Sequence, residues 1–267
     1  MPARRSLIDR LIKLAAPRPV VAFAPQPREL AAGVWVLDRQ LRLPGSARLP
    51  LRTTIIRLSS GALVVVSPPP LIGSRDVAAI DSIGVVEHVV APNSFHYVYA
   101  AEFIARYPDA RLFVSPGLLE RVPELPTAVE LGRSPPEIWS GEIDLVVLGP
   151  IRGVSEVVFF HQPSGVLILT DLAFNMTRFA RTFDRIAWRL AGVPDGFGPS
   201  RTSRLLLLRD HAEAVRCLSR VSEWPMRQIV VAHGEVVEHD AKAQFQKAFA
   251  RYVVTRGAPN TALETRA

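Results

Sequence analysis

The sequence predicts an α/β fold, mixed sheets covered by helices, and three observations predict it. Short apolar runs bounded by Pro, Gly and Ser alternate with helical patterns from about residue 29 to residue 257. Some of these runs, LVVVS above all, are apolar on both faces, as a central strand covered on two sides must be. Three of them, EHVVAPNSFH, GVLILTD and RQIVVAHG, end in polar residues, and strand carboxyl ends are where α/β folds assemble sites. A length of 267 residues with 48% hydrophobic content suits a single domain.

The N-terminal stretch MPARRSLIDRLIKLAAPRP places Leu7, Ile8, Leu11, Ile12 and Ala15 on one helical face and Arg5, Asp9, Arg10 and Lys13 toward the other. Residues 1–28 are read as a basic amphipathic arm that either docks on the body or makes peripheral membrane contact. Residues 258–267 are read as a flexible tail. GVWVLDRQLRL predicts a strand, and RTTIIRLSSGALVVVS a hairpin turning at Ser59, Ser60 and Gly61. SRDVAAIDSIG predicts a helix with Ser74 as N-cap and Gly84 as its stop. EHVVAP predicts a strand, NSFHYVYAAEFIARYP a helix and ARLFVSP a strand. The proline-rich stretch from Pro116 to Pro136 predicts a loop with at most one helical turn.

EIDLVVLGP, SEVVFFHQP and GVLILTD then predict three strands, the last two joined through Pro163, Ser164 and Gly165. Thr177 to Leu190 predicts a basic amphipathic helix, followed by a helix near residues 208–222, the strand RQIVVAH and a closing helix from Asp240 to Val254.

Composition narrows the function classes. The 32 Lys+Arg against 25 Asp+Glu give a net charge of +7, but these charges are scattered, aromatic residues make up 7%, and no nucleic-acid motif is present. Nucleic acid is therefore not the expected partner. Cys217 is the only cysteine, so no intrachain disulfide forms, and its helical pattern AEAVRCLSRV makes it a small core residue. No run approaches the ~18 apolar residues of a spanning helix. A soluble protein of a reducing, cytoplasmic compartment is expected.

Asp171 follows the run VLIL, where a buried carboxylate needs a metal, a cation or hydrogen bonds. It either caps the following segment or ligates. His233, with Gly234 behind it, ends another strand and either bonds a carbonyl or ligates. Asn93 and His96 stand at the first strand-to-helix junction. His161 is expected exposed at a hairpin turn and His211 in a surface pair. The helix MTRFARTFDRIAWRLAG interleaves Arg178, Arg181, Arg185 and Arg189 with apolar residues; it packs on the core, forms a lid offering arginines to an anionic substrate, or meets a membrane surface.

The early hairpin, the junction PNSFH, the strand pair VVFFHQPSGVLILTDLAFN and the late IVVAHGE together resemble the metallo-β-lactamase-like fold, in a branch catalogued as a domain of unknown function. The resemblance covers about residues 30–255. It implies an αββα four-layer sandwich of mixed sheets, matches Asp171 to the superfamily's bridging aspartate and matches His233 to its terminal histidine. It also exposes departures. NSFHYV stands where active members carry HxHxDH, no histidine precedes SEVVFF, and Ser67 stands where an aspartate is usual after the second early strand. The PN-x-x-H pattern is shared with the unknown-function branch.

Two function classes follow. In the first, His96, Asp171 and His233 hold one zinc or iron ion, Asn93 orients water or the developing oxyanion, and metal-activated water cleaves an ester, thioester or phosphoester of an unidentified small molecule. In the second, the chain binds no metal and serves as a binding or scaffold module, with Asp171 and His233 hydrogen-bonded to each other.

Overall fold

The computed structural model describes residues 18–20, 26–43, 47–71, 73–125, 127–151 and 153–254. The helix read at the start of the N-terminal arm and the tail over residues 258–267 lie outside the described residues.

Two large sheets carry the architecture. The first contains β1 (Arg18–Pro19), β2 (Arg28–Ala31), β3 (Val34–Arg42), β4 (Arg48–Arg57), β5 (Ala62–Val66), β6 (Val85–Ala91), β7 (Arg111–Val114) and β8 (Ala128–Glu130). Its order is β1-β3-β4-β5-β6-β7-β8, with β2 also paired to β3. It runs antiparallel through β3, β4 and β5 and parallel from β5 through β8. The second sheet contains β9 (Ile143–Ile151), β10 (Val154–His161) and β11 (Val166–Leu169). A small pair follows, β12 (Phe174–Asn175) with β13 (Phe197–Gly198), and β14 (Gln228–Val231) then completes the second sheet in the order β14-β11-β10-β9. The β11–β14 pairing is parallel, so both strands deliver their carboxyl ends to the same edge.

Strand alternation builds the layers. Along β5, Val64 and Val66 face the second sheet, where they join Val157, Phe159, Ile168 and Val230. Leu63 and Val65 face outward against Ile80 of α1 (Ser74–Asp81) and Phe103 of α2 (Ala100–Arg106). On the other side, Phe160, Leu167 and Leu169 pack on Leu218 and Val221 of α6 (His211–Glu223) and Phe245 of α7 (Ala241–Ala248). Three short helices, α3 (Leu118–Arg121), α4 (Thr182–Leu190) and α5 (Arg201–Leu206), sit in the connections. Helix, sheet, sheet, helix is the four-layer αββα sandwich that the resemblance implies. The both-faces burial of β5 and β10 is complete, residue by residue.

Several boundaries differ from the sequence reading. Gly73, not Ser74, holds the cap position of α1, and the helix ends at Asp81 with Ser82 as C-cap. The helix expected from Asn93 begins only at Ala100, because the Asn93 Oδ1 accepts the backbone N–H groups of Phe95 and His96 at 2.8 Å each and holds that segment in a turn. The proline-rich loop contains α3 and also β8, a three-residue strand parallel to β7. The basic helix starts at Thr182, so Arg178 and Arg181 precede it. The closing helix stops at Ala248.

Candidate metal centre

Four strands end at one place. Ser67 follows β5, Asn93 and His96 follow β6, Asp171 follows β11 and His233 follows β14. All four singled-out residues, Asn93, His96, Asp171 and His233, are therefore brought together by strand carboxyl ends, as α/β folds tend to arrange. Parallel pairing at β5–β6 and β11–β14 sets the ends level, and the Val157 N–H to Pro92 carbonyl bond at 2.8 Å ties the two sheets beside the cluster.

The donor atoms form a triangle whose carboxylate corner turns a different oxygen to each histidine. His96 Nε2 lies 3.2 Å from His233 Nε2 and 3.4 Å from Asp171 Oδ2, and His233 Nε2 lies 3.2 Å from Asp171 Oδ1. Tetrahedral zinc with bonds of about 2.0–2.1 Å holds its ligands about 3.3 Å apart. The residues fit such an ion in donor type, and one ligand atom from each lies within 4.8 Å of the others, close enough to close on it with a small adjustment. The His233 Nδ1–H donates to the Pro50 carbonyl at 2.7 Å, which fixes the tautomer and leaves the Nε2 lone pair facing the cluster. Both histidines are buried, and the Asp171 side chain is 19% exposed. Burial alone pushes the Asp171 carboxyl up; the adjoining His96 and His233 outweigh it and hold the group well below the ordinary carboxylate range.

Around this triangle stands a supporting set. Ser67, in the left-handed region at φ 60°, places its Oγ 2.6 Å from His96 Nδ1. Asn93, 1% exposed, is oriented by its network: with Oδ1 on two backbone N–H groups, Nδ2 must donate to Asp171 Oδ2 at 2.8 Å and Thr170 Oγ1 at 2.9 Å, with Glu156 Oε2 at 3.3 Å. Glu156 is fully buried. Its burial and the neighbouring Asp171 push its carboxyl up to about 7, although the N–H groups of Thr170 and Leu172 work the other way. Arg52 bonds the Gly234 carbonyl at 2.6 Å and the Asp38 carboxylate at 2.7 Å, anchoring the loop that carries His233 to the first sheet. Ser67, Glu156 and Arg52 were not read as site residues. A legible signal existed for Glu156, the only charge in the otherwise apolar strand VSEVVFF.

Gly234 shows why the terminal pair is His-Gly. Its φ is +108°, and a Cβ there would stand 2.1 Å from the Asn175 carbonyl oxygen, a backbone atom that cannot step aside. Gly234→Ala is expected to destabilise the fold by roughly 2 kcal/mol or more, through strain and forced backbone displacement next to His233. Urea unfolding checks this, and a change below about 0.5 kcal/mol, the range of neutral surface changes, would contradict it.

Other residues singled out in the sequence lie elsewhere. His161 is buried, not exposed: its Nδ1 meets Ser164 Oγ at 2.8 Å, because β10 is covered on both faces up to its last residue. His88 sits between Phe113 and Trp139. His211 is exposed with its ring beside Tyr252, and Cys217 is buried against the Val147 carbonyl. In α4, Phe183, Ile186 and Leu190 are exposed instead of packed on the core. Trp188 borders the cavity beside His96, Asp171 and His233, but the arginines turn to acids: Arg181 to Asp184, Arg185 and Arg189 to Asp195.

Comparison with known families places this architecture. Residues 32–182, more than half of the chain, match the family described as Domain of unknown function (DUF4336). The chain belongs to this family. The DUF4336 match includes Asn93, His96 and Asp171 and stops short of His233. No curated protein matches this DUF4336 chain. It is similar in structure to the DIM-1 metallo-β-lactamase exposed to ceftazidime, at TM-score 0.58 and 13% identity, covering 85% of this chain and 97% of that one. It is also similar to the metal-soaked Flv1 flavodiiron core from Synechocystis sp. PCC6803, at TM-score 0.60 and 11% identity over 88% of this chain and 61% of that one. A metallo-β-lactamase from Hirschia baltica gives TM-score 0.56 and 10% identity over 86% and 98%. These likenesses show that the DUF4336 fold of this chain is metallo-β-lactamase-like. Among the described residues, no helix is long and apolar enough to cross a membrane.

Proposed function

We propose that this protein is a metal-dependent hydrolase in which His96, Asp171 and His233 hold a single zinc or iron ion and the substrate is an ester, thioester or phosphoester. The observation that carries the reading is the triangle of donor atoms at 3.2–3.4 Å, facing a cavity of about 320 Å³. A bound ion supplies a Lewis acid that polarises the scissile group and acidifies water. The chain's own residues do the rest. The Pro50 carbonyl holds His233 in the ligating tautomer, Asn93 keeps the Asp171 carboxylate turned toward the histidines, and Ser67 sets the His96 ring. In this reading Asn93 is a positioning residue, since its Nδ2 hydrogens are engaged with Asp171 and Thr170 and the side chain does not line the cavity.

One observation favours the scaffold alternative. With the Ser67 hydroxyl donating to His96 Nδ1, the His96 Nε2–H lies between the Asp171 carboxylate and the His233 Nε2 lone pair and supplies a hydrogen bond where a metal would sit. With Ser67 accepting instead, Nε2 is free to ligate. Ser67→Ala removes the acceptor that favours the ligating tautomer, so zinc affinity is expected to fall about 10–100-fold, the usual effect of losing such a partner. Competition with a chromogenic zinc chelator reads this out; unchanged affinity would contradict the tautomer argument. The hydrolase reading itself is tested with a panel of aryl esters, thioesters and phosphoesters on zinc- or iron-loaded protein. Turnover that chelator removes and metal restores is expected; metal-loaded protein inert on all three classes, or turnover indifferent to chelator, would overturn it.

A further inference from the structure

The cavity in front of the cluster has a chemistry of its own. It is walled by Leu51 of β4, Phe95, Phe174, Trp188 of α4, Val193 and Leu206 of α5, with His96, Asp171 and His233 at one side. The chain carries 32 Lys+Arg, yet no lysine or arginine among the described residues lines this cavity. Among the described residues, Asp171 is its one carboxylate. Several hydroxyls at the wall are already engaged. Ser67 Oγ meets His96, the Ser200 and Ser203 hydroxyls lie 2.7 Å apart, and Ser203 Oγ also donates to the Asp171 carbonyl at 2.5 Å. The polar edge of Trp188 is engaged too, its Nε1–H donating to the Arg48 carbonyl at 2.8 Å, so the ring presents carbon to the cavity. The arginines of α4, which would have suited an anion, are 57% and 69% exposed at Arg185 and Arg189 and face Asp195.

We infer that this cavity binds an uncharged apolar group, a medium-length alkyl or acyl chain, and that the substrate is the ester or thioester of such an acid. A phosphoester would bring its charge into an apolar cavity beside the Asp171 carboxylate with no lysine or arginine among the described residues to meet it. Size sets the length. A cavity of about 320 Å³ lies at the lower end of ordinary ligand sites, and at ~30 Å³ per water-sized group it holds about ten such groups. Each methylene that enters tightens binding by about fourfold, until the space is filled. The inference rests on the hydrolase reading only in calling the occupant a substrate; the cavity's preference stands on its lining.

The test is therefore made on binding, apart from turnover. The neutral fluorophore 1-aminoanthracene is titrated into full-length wild-type protein and into Asp171→Ala, and is then displaced with straight-chain alcohols from butanol to decanol. The expected result is saturable fluorescence enhancement in both proteins. Displacement should strengthen by about fourfold per methylene and level off near eight to ten carbons. Octyl phosphate should compete at least tenfold more weakly than octanol. Two variants locate the probe. Leu206→Glu puts a charge on a half-buried wall position, and Ala191→Trp adds bulk at an exposed one, so neither hollows the core. Each should weaken the probe at least tenfold, with thermal unfolding confirming that it remains folded. Absence of saturable binding, affinity unchanged in both folded variants, or octyl phosphate preferred over octanol would overturn the inference. Probe binding with the expected chain-length trend in a protein that takes up no metal would sink the hydrolase reading and leave the apolar site in place.

Discussion

Asp171→Ala is expected to lower zinc or iron affinity by more than about 100-fold, beyond the 10–100-fold that loss of a supporting partner costs. The change removes the one carboxylate donor of the triangle, leaving two imidazoles 3.2 Å apart. It also strips Asn93 Nδ2 of its shortest acceptor, at 2.8 Å, and so loosens the turn that carries His96. The fold should survive, since Asp171 reaches solvent and Asn93 keeps Thr170 and Glu156 as acceptors. Asp171→Asn separates charge from shape: it keeps a side-chain oxygen in place but loses the negative charge, and its affinity should fall between the other two. Competition titration against a metal indicator measures all three, and an Asp171→Ala protein with wild-type affinity would exclude Asp171 as a ligand.

Metal-free protein is expected to lose stability as pH rises from about 4.5 to about 7, and Glu156 is the reason. Burial and the neighbouring Asp171 raise its carboxyl from the ordinary 4.5 to about 7. A carboxyl with a higher pKa in the folded than in the unfolded chain supports the fold fully below the unfolded value, and that support is lost as pH rises through the folded value. The loss therefore runs from about pH 4.5 to about pH 7 and amounts to about 3 kcal/mol at most. Asp171 acts in the opposite sense and at lower pH, because its depressed pKa contributes stability above the ordinary carboxylate range and loses it only on acidification. Glu156→Gln keeps a carbonyl oxygen for the Thr170 N–H and cannot ionise. Urea unfolding in the presence of chelator should show the slope in wild type and its disappearance in Glu156→Gln. The same pH dependence in both proteins would place the cause elsewhere.

The parts of the site that could be read from sequence were those announced by local contrast. Asp171 after VLIL and His233 after QIVVA each break an apolar run, and a polar group at such a place must be satisfied by something. The layers were legible for the same reason, since a strand such as LVVVS has no face that tolerates water. What escaped depends on contacts across the chain. Ser67 read as a lost aspartate, yet it meets a ring nitrogen of a residue 29 positions away. Glu156 meets Asn93 across 63 positions, and Arg52 reaches the Gly234 carbonyl across 182. The junction after β6 misled for a different reason: NSFHYVYAAEF has helical periodicity, but the Asn93 side-chain oxygen Oδ1 competes for the N–H groups that a helix would use. That competition turns His96 toward the cluster and away from an outer helical face. β8 is three residues long, too short for periodicity to register beside its prolines.

The central claim is that His96, Asp171 and His233 close on one ion, and anomalous diffraction from crystals grown with zinc tests it most directly. A single strong peak at the zinc edge, within bonding distance of both Nε2 atoms and the Asp171 carboxylate, is the predicted result. Crystals of zinc-saturated protein with no peak there, and with His96 Nε2 still hydrogen-bonded to Asp171, would contradict it and leave the fold as a metal-free binding module.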